Sequence, residues 1–396
     1  MNVIVHSARL VSGGTVTPDA WVAFIGETVA MVGTGDRWRA LATEGAPAGP
    51  GDSGAPDVFD ARGRWLTPGF IDIHCHGAGG AAFDDGAAGI RTALAVHRAH
   101  GTTRSVLSLV TASLADLEFR LASVASAAEA DPLILGAHLE GPFLDDTFRG
   151  AHDRALLRAA DAAATERLLR ASRGHLRQIT LAPELPGSRD AIGRFVDAGV
   201  VVAVGHSAAD YESALAAFEA GASVLTHAFN AMPGIHHRAP GPVVAAMRAG
   251  GVTLEIINDG VHVHPEVVRL AFAGAPGRVA LVTDAMAATG FGDGEYRLGT
   301  LLVTVTDGIA RLAGAGASTQ GAIAGSTLTL DAALRRAVNE VGLPVSTAVT
   351  ALTETPARAI GRAHNLGQLA PGFAADAVLL GDDFTVETVF AAGQRL

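Results

Sequence analysis

The sequence predicts a (β/α)8 barrel of the TIM type together with a small β-sandwich domain formed by both chain ends. In the middle of the chain, short apolar runs alternate eight times with Ala-rich amphipathic segments, and the runs are apolar enough to be buried on both faces. Parallel strands that are covered by helices have this pattern. The two chain ends instead contain short stretches in which apolar and polar residues alternate, and this pattern predicts the second domain. A doubly wound open sheet is the alternative fold for the same alternation.

Each of the eight apolar runs is predicted to form a barrel strand, and polar or glycine residues follow it. The runs are GFIDIHCH (69–76), TTRSVLSLV (102–110), PLILGAHLE (132–140), RQITLAPE (177–184), VVVAVGHS (200–207), ASVLTHAFN (222–230), VTLEIIND (252–259) and RVALVTDA (278–285). The segments between them, such as GIRTALAVHRAH (89–100), have the spacing of amphipathic helices. Eight strand and helix units in succession are what a closed barrel requires.

The change from alternating short strands to long apolar runs predicts the domain boundaries. Residues 1–62 and 366–396 are assigned to the small β-domain, and residues 63–365 to the barrel. An alternating stretch within residues 297–314 resembles the chain ends, so we expect it to contribute to the small domain or to flank it. A segment rich in Gly, Pro and Ala over residues 46–56 is predicted to be a connector.

Composition narrows the classes of function. The 396 residues are 49% hydrophobic and carry a formal net charge of −11, which favours a large core and argues against a nucleic-acid surface. The single Cys excludes an intrachain disulfide. We find no secretory leader and no apolar run long enough to cross a bilayer, so we expect a cytoplasmic protein with small-molecule partners and no membrane partner.

Lysine is missing from the chain, and all 29 basic residues are therefore Arg. A mechanism that needs a lysine is excluded, which removes Schiff-base chemistry. A phosphate-binding loop of the common nucleotide-binding type is also excluded, because it needs a lysine and because the sequence lacks its Gly-rich signature.

The stretch IDIHCHG (71–77) places two histidines close together at the end of the first predicted strand. Because strand side chains alternate between faces, Asp72, His74 and His76 should share one face, and Cys75 should point to the other as a small core residue. This stretch alone is compatible with a metal site and also with an ordinary strand that has one polar face.

Side chains that can bind metals recur at the ends of five predicted strands. In a parallel barrel, the carboxyl ends of the strands converge on one mouth, where such enzymes place their chemistry. Histidine, glutamate and aspartate are common ligands of divalent metals. The six residues that the pattern predicts to meet as a metal site are His74, His76, Glu140, His206, His227 and Asp284.

Six motifs in chain order carry a resemblance to a known family. They are PGFIDIHCHG (68–77), HLEGPFL (138–144), GHS (205–207), THAFNAMPG (226–234), DGVHV (259–263) and LVTDAMAATG (281–290). In this order they resemble the N-acetylglucosamine-6-phosphate deacetylases of the amidohydrolase superfamily. The resemblance covers nearly the whole chain, including LGQLAPGFAADAVLL (366–380), which is similar to the superfamily's return into the small β-domain.

The resemblance implies how the six residues divide between metal ions. Glu140, His206 and His227 would hold one divalent ion, and the two histidines of the first strand with Asp284 could hold a second. Zn2+ is the expected ion, with Fe2+, Mn2+ or Co2+ as alternatives and one or two ions per subunit. Many related enzymes bridge two ions with a carboxylated lysine, which this chain cannot supply, so Glu140 would take that role.

The resemblance also implies a reaction, the hydrolysis of the N-acetyl amide of N-acetylglucosamine 6-phosphate to glucosamine 6-phosphate and acetate, in amino-sugar metabolism. We expect Asp284 to be the general base, because a carboxylate beside a divalent cation is ionised and positioned for proton transfer. A purely structural ligand is the alternative role for this residue.

The implied substrate contacts are more widely spread along the chain. The predicted substrate-binding residues are Ala151, His152, Asn230, Ala231, Arg238 and His262. In a homodimer, Arg238 would reach the phosphate in the neighbouring active site, for which a planar guanidinium is suited. Outside this resemblance, Arg238 is an ordinary loop arginine. His236 and His237 beside it depart from the family pattern, which alters the expected phosphate environment.

Three classes of function remain open at this point. The first is the deacetylase described above. The second is a related amidohydrolase that acts on another N-acyl substrate, such as N-acetylgalactosamine 6-phosphate, or on a cyclic amide. The third is a non-catalytic member of the superfamily, which the complete set of six ligand-type residues disfavours.

Overall fold

The computed structural model describes residues 2–44, 55–314 and 321–396, so most of the predicted connector over 46–56 lies outside the described residues. The contacts between residues divide the chain into two compact units. One unit gathers Met1–Ile71, His97–Arg104 and Leu330–Leu396, and the other gathers Asp72–Val96 and Ser105–Thr329.

Eight parallel strands form one sheet, and strands that are adjacent in sequence are also adjacent in space. They are β1 (Phe70–Cys75), β2 (Thr102–Val110), β3 (Ile134–Glu140), β4 (Leu176–Leu181), β5 (Val201–Val204), β6 (Val224–Leu225), β7 (Thr253–Ile257) and β8 (Val279–Val282). All eight predicted runs form strands, and the predicted barrel is confirmed. The doubly wound alternative is wrong, because its strand order would not follow the chain.

Backbone hydrogen bonds at the carboxyl ends of β1 and β8 bring the first and last strands together. The amide of Asp284 donates to the carbonyl of His74 at 2.8 Å, and the amides of His76 and Gly77 both donate to the carbonyl of Ala285 at 2.8 and 3.0 Å. The barrel is therefore nearly closed. The bonds that close it involve the same residues that were predicted to bind metal.

Helices follow the strands along the chain. They are Trp38–Glu44, Gly86–Ala99, Leu114–Ala130, Ala162–Ala171, Ser188–Asp197, Tyr211–Glu219, Gly241–Arg248, Pro265–Gly274, Leu330–Asn339, Val345–Leu352 and Glu354–Ala359, with short 3-10 turns at Gly35–Arg37, Phe83–Asp85 and Arg154–Leu156. Several helices begin at a side-chain cap, such as Ser113, Asp161 and Asp210, which accepts a hydrogen bond from a backbone amide of the first turn. In the part of the chain that is described, none of the helices combines the length and the hydropathy of a membrane span.

Strands from both chain ends form a second eight-stranded sheet, as predicted. Its strands are Asn2–Ser12, Thr15–Ile25, Thr28–Thr34, Asp57–Asp60, Trp65–Pro68, Ala377–Leu380, Val386–Ala391 and Gln394–Arg395. Leu66 and Phe390, from opposite ends of the sequence, are fully buried in one core cluster. Burial of this shared apolar surface ties the two ends together.

The alternating stretch near residues 297–314 forms a sheet of its own. Its three antiparallel strands are Gly294–Leu298, Leu301–Thr306 and Ile309–Leu312, and over the described residues none of them pairs with the sheet of the chain ends. Its inner face packs on Val110 at the end of β2 and on Ala151 and Met286. Its residues therefore contact loops at the carboxyl end of the barrel. Two further short strands, Gly77–Ala78 and Ala81–Ala82, pair with each other.

Candidate active site

Glu140, the last residue of β3, is the centre of a cluster of histidines at the carboxyl end of the barrel. Five imidazole Nε2 atoms lie within hydrogen-bonding distance of its two carboxylate oxygens. The distances are 3.3 Å to His74, 3.2 Å to His76, 3.3 Å to His152, 3.1 Å to His206 and 3.2 Å to His227. The Glu140 side chain is only 6% exposed, so nearly all of its contacts are with protein atoms.

Asp284 completes the cluster from the segment that follows β8. Its Oδ1 atom lies 3.2 Å from Nε2 of His76 and 3.5 Å from Nε2 of His74. The structure thus brings all six residues of the predicted metal site together at one mouth of the barrel. It also adds His152, which was predicted only as a substrate contact.

Neighbouring histidines in the cluster direct nitrogen atoms at each other. Nε2 of His206 lies 2.9 Å from Nε2 of His227, and Nε2 of His74 lies 3.3 Å from Nε2 of His76. The Nδ1 atoms of His76 and His227 are buried and have no hydrogen-bond partner among the described residues. Imidazole nitrogens and carboxylate oxygens that converge in this way can bind a divalent cation once the imidazoles are neutral, and such a set of donors is typical of zinc and related metals. The residues present therefore fit a metal centre.

The charges of the cluster act on the pKa of its members. Burial acts to raise the pKa of the Glu140 carboxyl, but the charges of His74 and His206 hold it well below its usual range. The pKa of Asp284 is lowered to about 2, because the charge of His74 and the hydrogen bond from His76 outweigh burial. Both carboxylates are therefore ionised at neutral pH. Metal ligands must be deprotonated, so these two groups are ready to bind a cation.

Contacts on the far side of two imidazoles fix their orientation. Nδ1 of His206 donates to the carbonyl of Phe148 at 2.9 Å, and Nδ1 of His74 donates to Oε2 of Glu255 at 3.0 Å. With Nδ1 engaged as a donor, Nε2 is the nitrogen of each ring that faces the cluster and can bind a metal.

The sequence did not predict either partner, the carbonyl of Phe148 or the carboxylate of Glu255. Glu255 could have been found as the one charged residue inside the apolar run TLEII, whereas a backbone carbonyl such as that of Phe148 leaves no signal in the sequence.

Several residues around the cluster have an unusual backbone conformation. Positive φ angles occur at His206 (47°), His227 (25°), Phe229 (79°), Ala231 (50°) and Asp284 (48°), and none of these is a glycine. Each lies in a segment that follows a barrel strand, where the chain changes direction. Such conformations cost of order 1–3 kcal/mol each and persist only where the surrounding structure requires them.

A cavity of about 330 Å³ opens beside the cluster, and its lining includes His76, Glu140 and Asp284. Five of the six predicted substrate-binding residues also line it, namely Ala151, His152, Asn230, Ala231 and His262. Apolar side chains of Ile257 and Ile323 complete part of the wall. A volume of this size accommodates a small polar molecule.

His262 is held within the cavity wall by a neighbouring carboxylate. Its Nδ1 atom lies 2.7 Å from Oδ2 of Asp259. Burial acts to lower the pKa of His262, but the hydrogen bond and charge of Asp259 raise it overall. His262 can therefore present a positively charged Nε2–H group to a ligand. Asp259 is a further residue of the site that the sequence did not predict.

Arg238 is the predicted substrate-binding residue that does not line the cavity of its own chain. It lies in an exposed loop, and its Nη1 atom is 2.6 Å from Nε2 of His237. The rings of His236 and His237 lie 4.1 Å apart. The loop thus presents one arginine and two histidines together to the outside of this chain.

A nearly closed parallel barrel with carboxylate and imidazole side chains clustered at its carboxyl mouth is the architecture of barrel enzymes that use a divalent metal. The chain belongs to the amidohydrolase family, whose family model matches residues 65–396. This family is metal-dependent, in agreement with the histidine and carboxylate clusters of the site.

Individual relatives are similar over most of the chain. The N-acetylgalactosamine-6-phosphate deacetylase of Escherichia coli O157:H7 is 38% identical over 341 residues, which cover 85% of this chain and 89% of that protein. The N-acetylglucosamine-6-phosphate deacetylase of Vibrio furnissii is 37% identical over 335 residues, with coverages of 83% and 82%. A solved structure of the N-acetyl-D-glucosamine-6-phosphate deacetylase of Mycobacterium smegmatis, a mutant in complex with N-acetyl-D-glucosamine-6-phosphate, is 40% identical with a TM-score of 0.90, covering 100% of this chain and 99% of that one.

The central position of Glu140 leads to a prediction about metal content. Glu140→Gln keeps the shape of the side chain but removes its charge, so the variant should lose most of its bound divalent metal and most of its activity. Metal analysis after gel filtration, together with an activity assay, measures both. Glu118→Gln is the control, since it removes a carboxylate from a partly exposed pair with Arg167 and should retain full metal. Full metal content and turnover in Glu140→Gln would rule out Glu140 as a ligand.

Proposed function

We propose that this protein hydrolyses the N-acetyl amide of N-acetylglucosamine 6-phosphate to glucosamine 6-phosphate and acetate, in amino-sugar metabolism. The observation that carries the proposal is the Glu140 cluster, which borders a cavity lined by five of the predicted substrate-binding residues. The enzymes from Vibrio furnissii and Mycobacterium smegmatis, which are named for this reaction, support it.

Six residues would hold the metal in this proposal. Glu140, His206 and His227 form one ligand set, and His74 and His76 with Asp284 form the other, so that one or two ions bind per subunit. Zn2+ is the ion we propose, because it is commonly bound by imidazole and carboxylate ligands in catalytic sites. When bound, such an ion lowers the pKa of water toward about 7 and polarises an amide carbonyl.

Asp284 is the general base in this reaction. Its carboxylate borders the cavity and contacts Nε2 of His76 at 3.2 Å, so it lies where the amide of a bound substrate would react. It takes the proton from the attacking water and then delivers it to the departing amine. Without the second transfer, the amine would leave as an unstable anion. A single carboxylate at the edge of the cavity can perform both transfers.

The remaining residues of the cavity orient the sugar. His152 lines the cavity and its Nε2 lies 3.3 Å from Oε2 of Glu140, so we place it beside the acetyl carbonyl, where its ring can donate a hydrogen bond. Asn230 and Ala231 contact the sugar phosphate, and His262 binds the substrate. Ile257 supplies an apolar part of the cavity wall.

The assembly that we propose is a homodimer in the cytoplasm, in which Arg238 reaches the phosphate bound by the neighbouring subunit. Its position outside the cavity of its own chain supports this arrangement. We assign the catalytic domain to residues 63–365 and the small β-domain to residues 1–62 and 366–396, and the strand Trp65–Pro68 at this boundary pairs with the strands of the chain ends. The substrate is a small phosphorylated amino sugar, and neither nucleic acid nor membrane takes part.

An acetate-release assay tests the proposed reaction. After reconstitution with Zn2+, the enzyme should have its highest kcat/KM on N-acetylglucosamine 6-phosphate, followed by its galactosamine epimer and then by unphosphorylated N-acetylglucosamine. A higher value on the galactosamine epimer would instead establish the second candidate, which the similarity to the Escherichia coli O157:H7 enzyme favours. Absence of acetate release from all three sugars would refute both.

The general-base role predicts a separation of metal binding from turnover. Asp284→Asn should keep its fold and at least one ion, because Glu140, His206 and His227 are unchanged. Turnover should fall by about 10²–10⁴, the usual contribution of a positioned acid-base group. Steady-state kinetics with metal analysis of the same samples measures the two effects. A loss of less than tenfold in rate would return Asp284 to a structural role.

The cross-subunit role of Arg238 predicts a specific loss of phosphate preference. Arg238→Ala should raise KM for the 6-phosphate far more than for the unphosphorylated sugar, because only the phosphate loses a charge-assisted pair. A buried pair of this kind is worth about 2–5 kcal/mol, so the preference should fall at least tens-fold.

Two controls accompany this experiment. Arg248→Ala, at the end of the next helix, should leave the preference unchanged. The mass of the active species is measured by light scattering alongside the kinetics. Equal losses on the two sugars would assign Arg238 to the fold, and a fully active monomer would refute the contact between subunits.

A further inference from the structure

Glu255 occupies a position in β7 that none of the roles above accounts for. Its side chain is fully buried inside the barrel, and each of its two carboxylate oxygens has a separate set of partners. Oε2 accepts a hydrogen bond from Nδ1 of His74 at 3.0 Å and another from the backbone amide of His227 at 3.3 Å. Oε1 accepts from Nε2 of Gln178 at 2.8 Å.

We propose that Glu255 is a positioning residue that aligns one ligand from each half of the metal centre. His74 belongs to the ligand set of β1 and Asp284, and His227 belongs to the set of Glu140 and His206. One oxygen of Glu255 contacts both. The inference rests on the proposed metal-dependent function, because it assigns Glu255 to the ligands of that centre.

The contact with His74 determines how that imidazole faces the centre. An imidazole must be neutral to bind a metal, and a neutral ring has one N–H and one lone pair. With Nδ1–H donated to Glu255, the nitrogen of His74 that is left to bind a metal is Nε2. Nε2 of His74 lies 3.3 Å from Oε1 of Glu140, among the other ligand atoms. A carboxylate partner also makes the ring a stronger donor to a metal. An amide at this position would remove that charge effect.

The contact with His227 acts through the backbone. His227 has a φ angle of 25°, which a residue other than glycine rarely adopts, and its amide points at Glu255. The next amide, that of Ala228, donates to the backbone carbonyl of Glu255 at 2.8 Å. Two adjacent amides of the strained turn are thus held by one residue of β7. This geometry turns the imidazole of His227 back toward Glu140.

Gln178 holds the carboxylate of Glu255 in place. Its side chain is fully buried, and its amide nitrogen occupies the donor position at Oε1. In Glu255→Gln, the amide oxygen can still accept from His74, and the new NH2 group can donate to Gln178 once that amide rotates to present Oε1, which has no partner in the described structure. The substitution therefore removes the negative charge beside His74 while it keeps the volume and the hydrogen-bonding capacity of the side chain.

The experiment compares zinc affinity with the stability of the metal-free protein. Zn2+ binding is measured by competition with a chromogenic chelator, and the thermal midpoint is measured on the chelator-treated protein. Glu255→Gln should weaken Zn2+ binding by about 10–100-fold, the usual effect of removing such a partner of a ligand. Its metal-free thermal midpoint should stay within about 3 °C of the wild type, since the volume and packing of the side chain are kept.

Asp331→Asn is a matched control, because it also removes a buried carboxylate that contacts a histidine. Asp331 lies 3.1 Å from Nδ1 of His100 and 2.9 Å from Nη1 of Arg335. These residues are not among the proposed ligands, so Zn2+ affinity should change by no more than about twofold. If Glu255→Gln does not fold, Glu255→Asp replaces it. Aspartate keeps the charge but is too short to reach His74 and Gln178 together, and the same loss of affinity is expected.

Two results would overturn the proposal. One is wild-type zinc affinity in a folded Glu255 variant, and the other is an affinity loss as large in Asp331→Asn as in the Glu255 variant. Either would mean that Glu255 only supports the barrel interior. Failure of the proposed function itself is seen separately, as absence of acetate release by the wild-type enzyme, whereas the comparison of zinc affinities still decides the role of Glu255.

Discussion

The contact of one carboxylate with five imidazoles is the interaction on which the rest of the site depends. Glu140 ends a buried strand, and its oxygens lie 3.1–3.3 Å from Nε2 atoms that come from β1 and from the segments after β1, β3, β5 and β6. The barrel brings these positions to one point, because the carboxyl ends of its strands surround a common axis. The chain has no lysine that could be carboxylated, and Glu140 supplies the carboxylate at this central position.

The barrel interior beneath the centre is unusually polar for a core. Fully buried Asp72, His138, Gln178 and Glu255 lie there, and Thr180 is hydrogen-bonded to His138 at 2.8 Å. Buried polar groups of this kind cost stability unless they are hydrogen-bonded, and Oε1 of Gln178 has no hydrogen-bond partner among the described residues. The polar interior and the positive φ angles around the cluster therefore both reduce the stability of the fold, and both belong to the part of the barrel that carries the site.

The sequence predicted the eight strands and the six clustered residues because both leave a local signal: an apolar run, and a ligand-type side chain just beyond it. Glu255 left a weaker signal. A single charged residue within an apolar run indicates a polar group inside the barrel, but it does not show which residues that group contacts. The sheet over Gly294–Leu312 has the same alternation as the chain ends, and only pairing partners distant in sequence decide which sheet such strands join. The role of Arg238 depends on a second chain, which a single sequence does not describe.

Anomalous diffraction from crystals of the zinc-loaded protein is the most direct test of metal binding by Glu140. We expect a zinc peak about 2.0–2.2 Å from a carboxylate oxygen of Glu140 and from Nε2 of His206 and His227, the usual lengths of such bonds. A second peak near His74, His76 and Asp284 would show occupancy of the other ligand set. A zinc ion held elsewhere, or one bound in the cluster without Glu140, would exclude Glu140 as the central ligand.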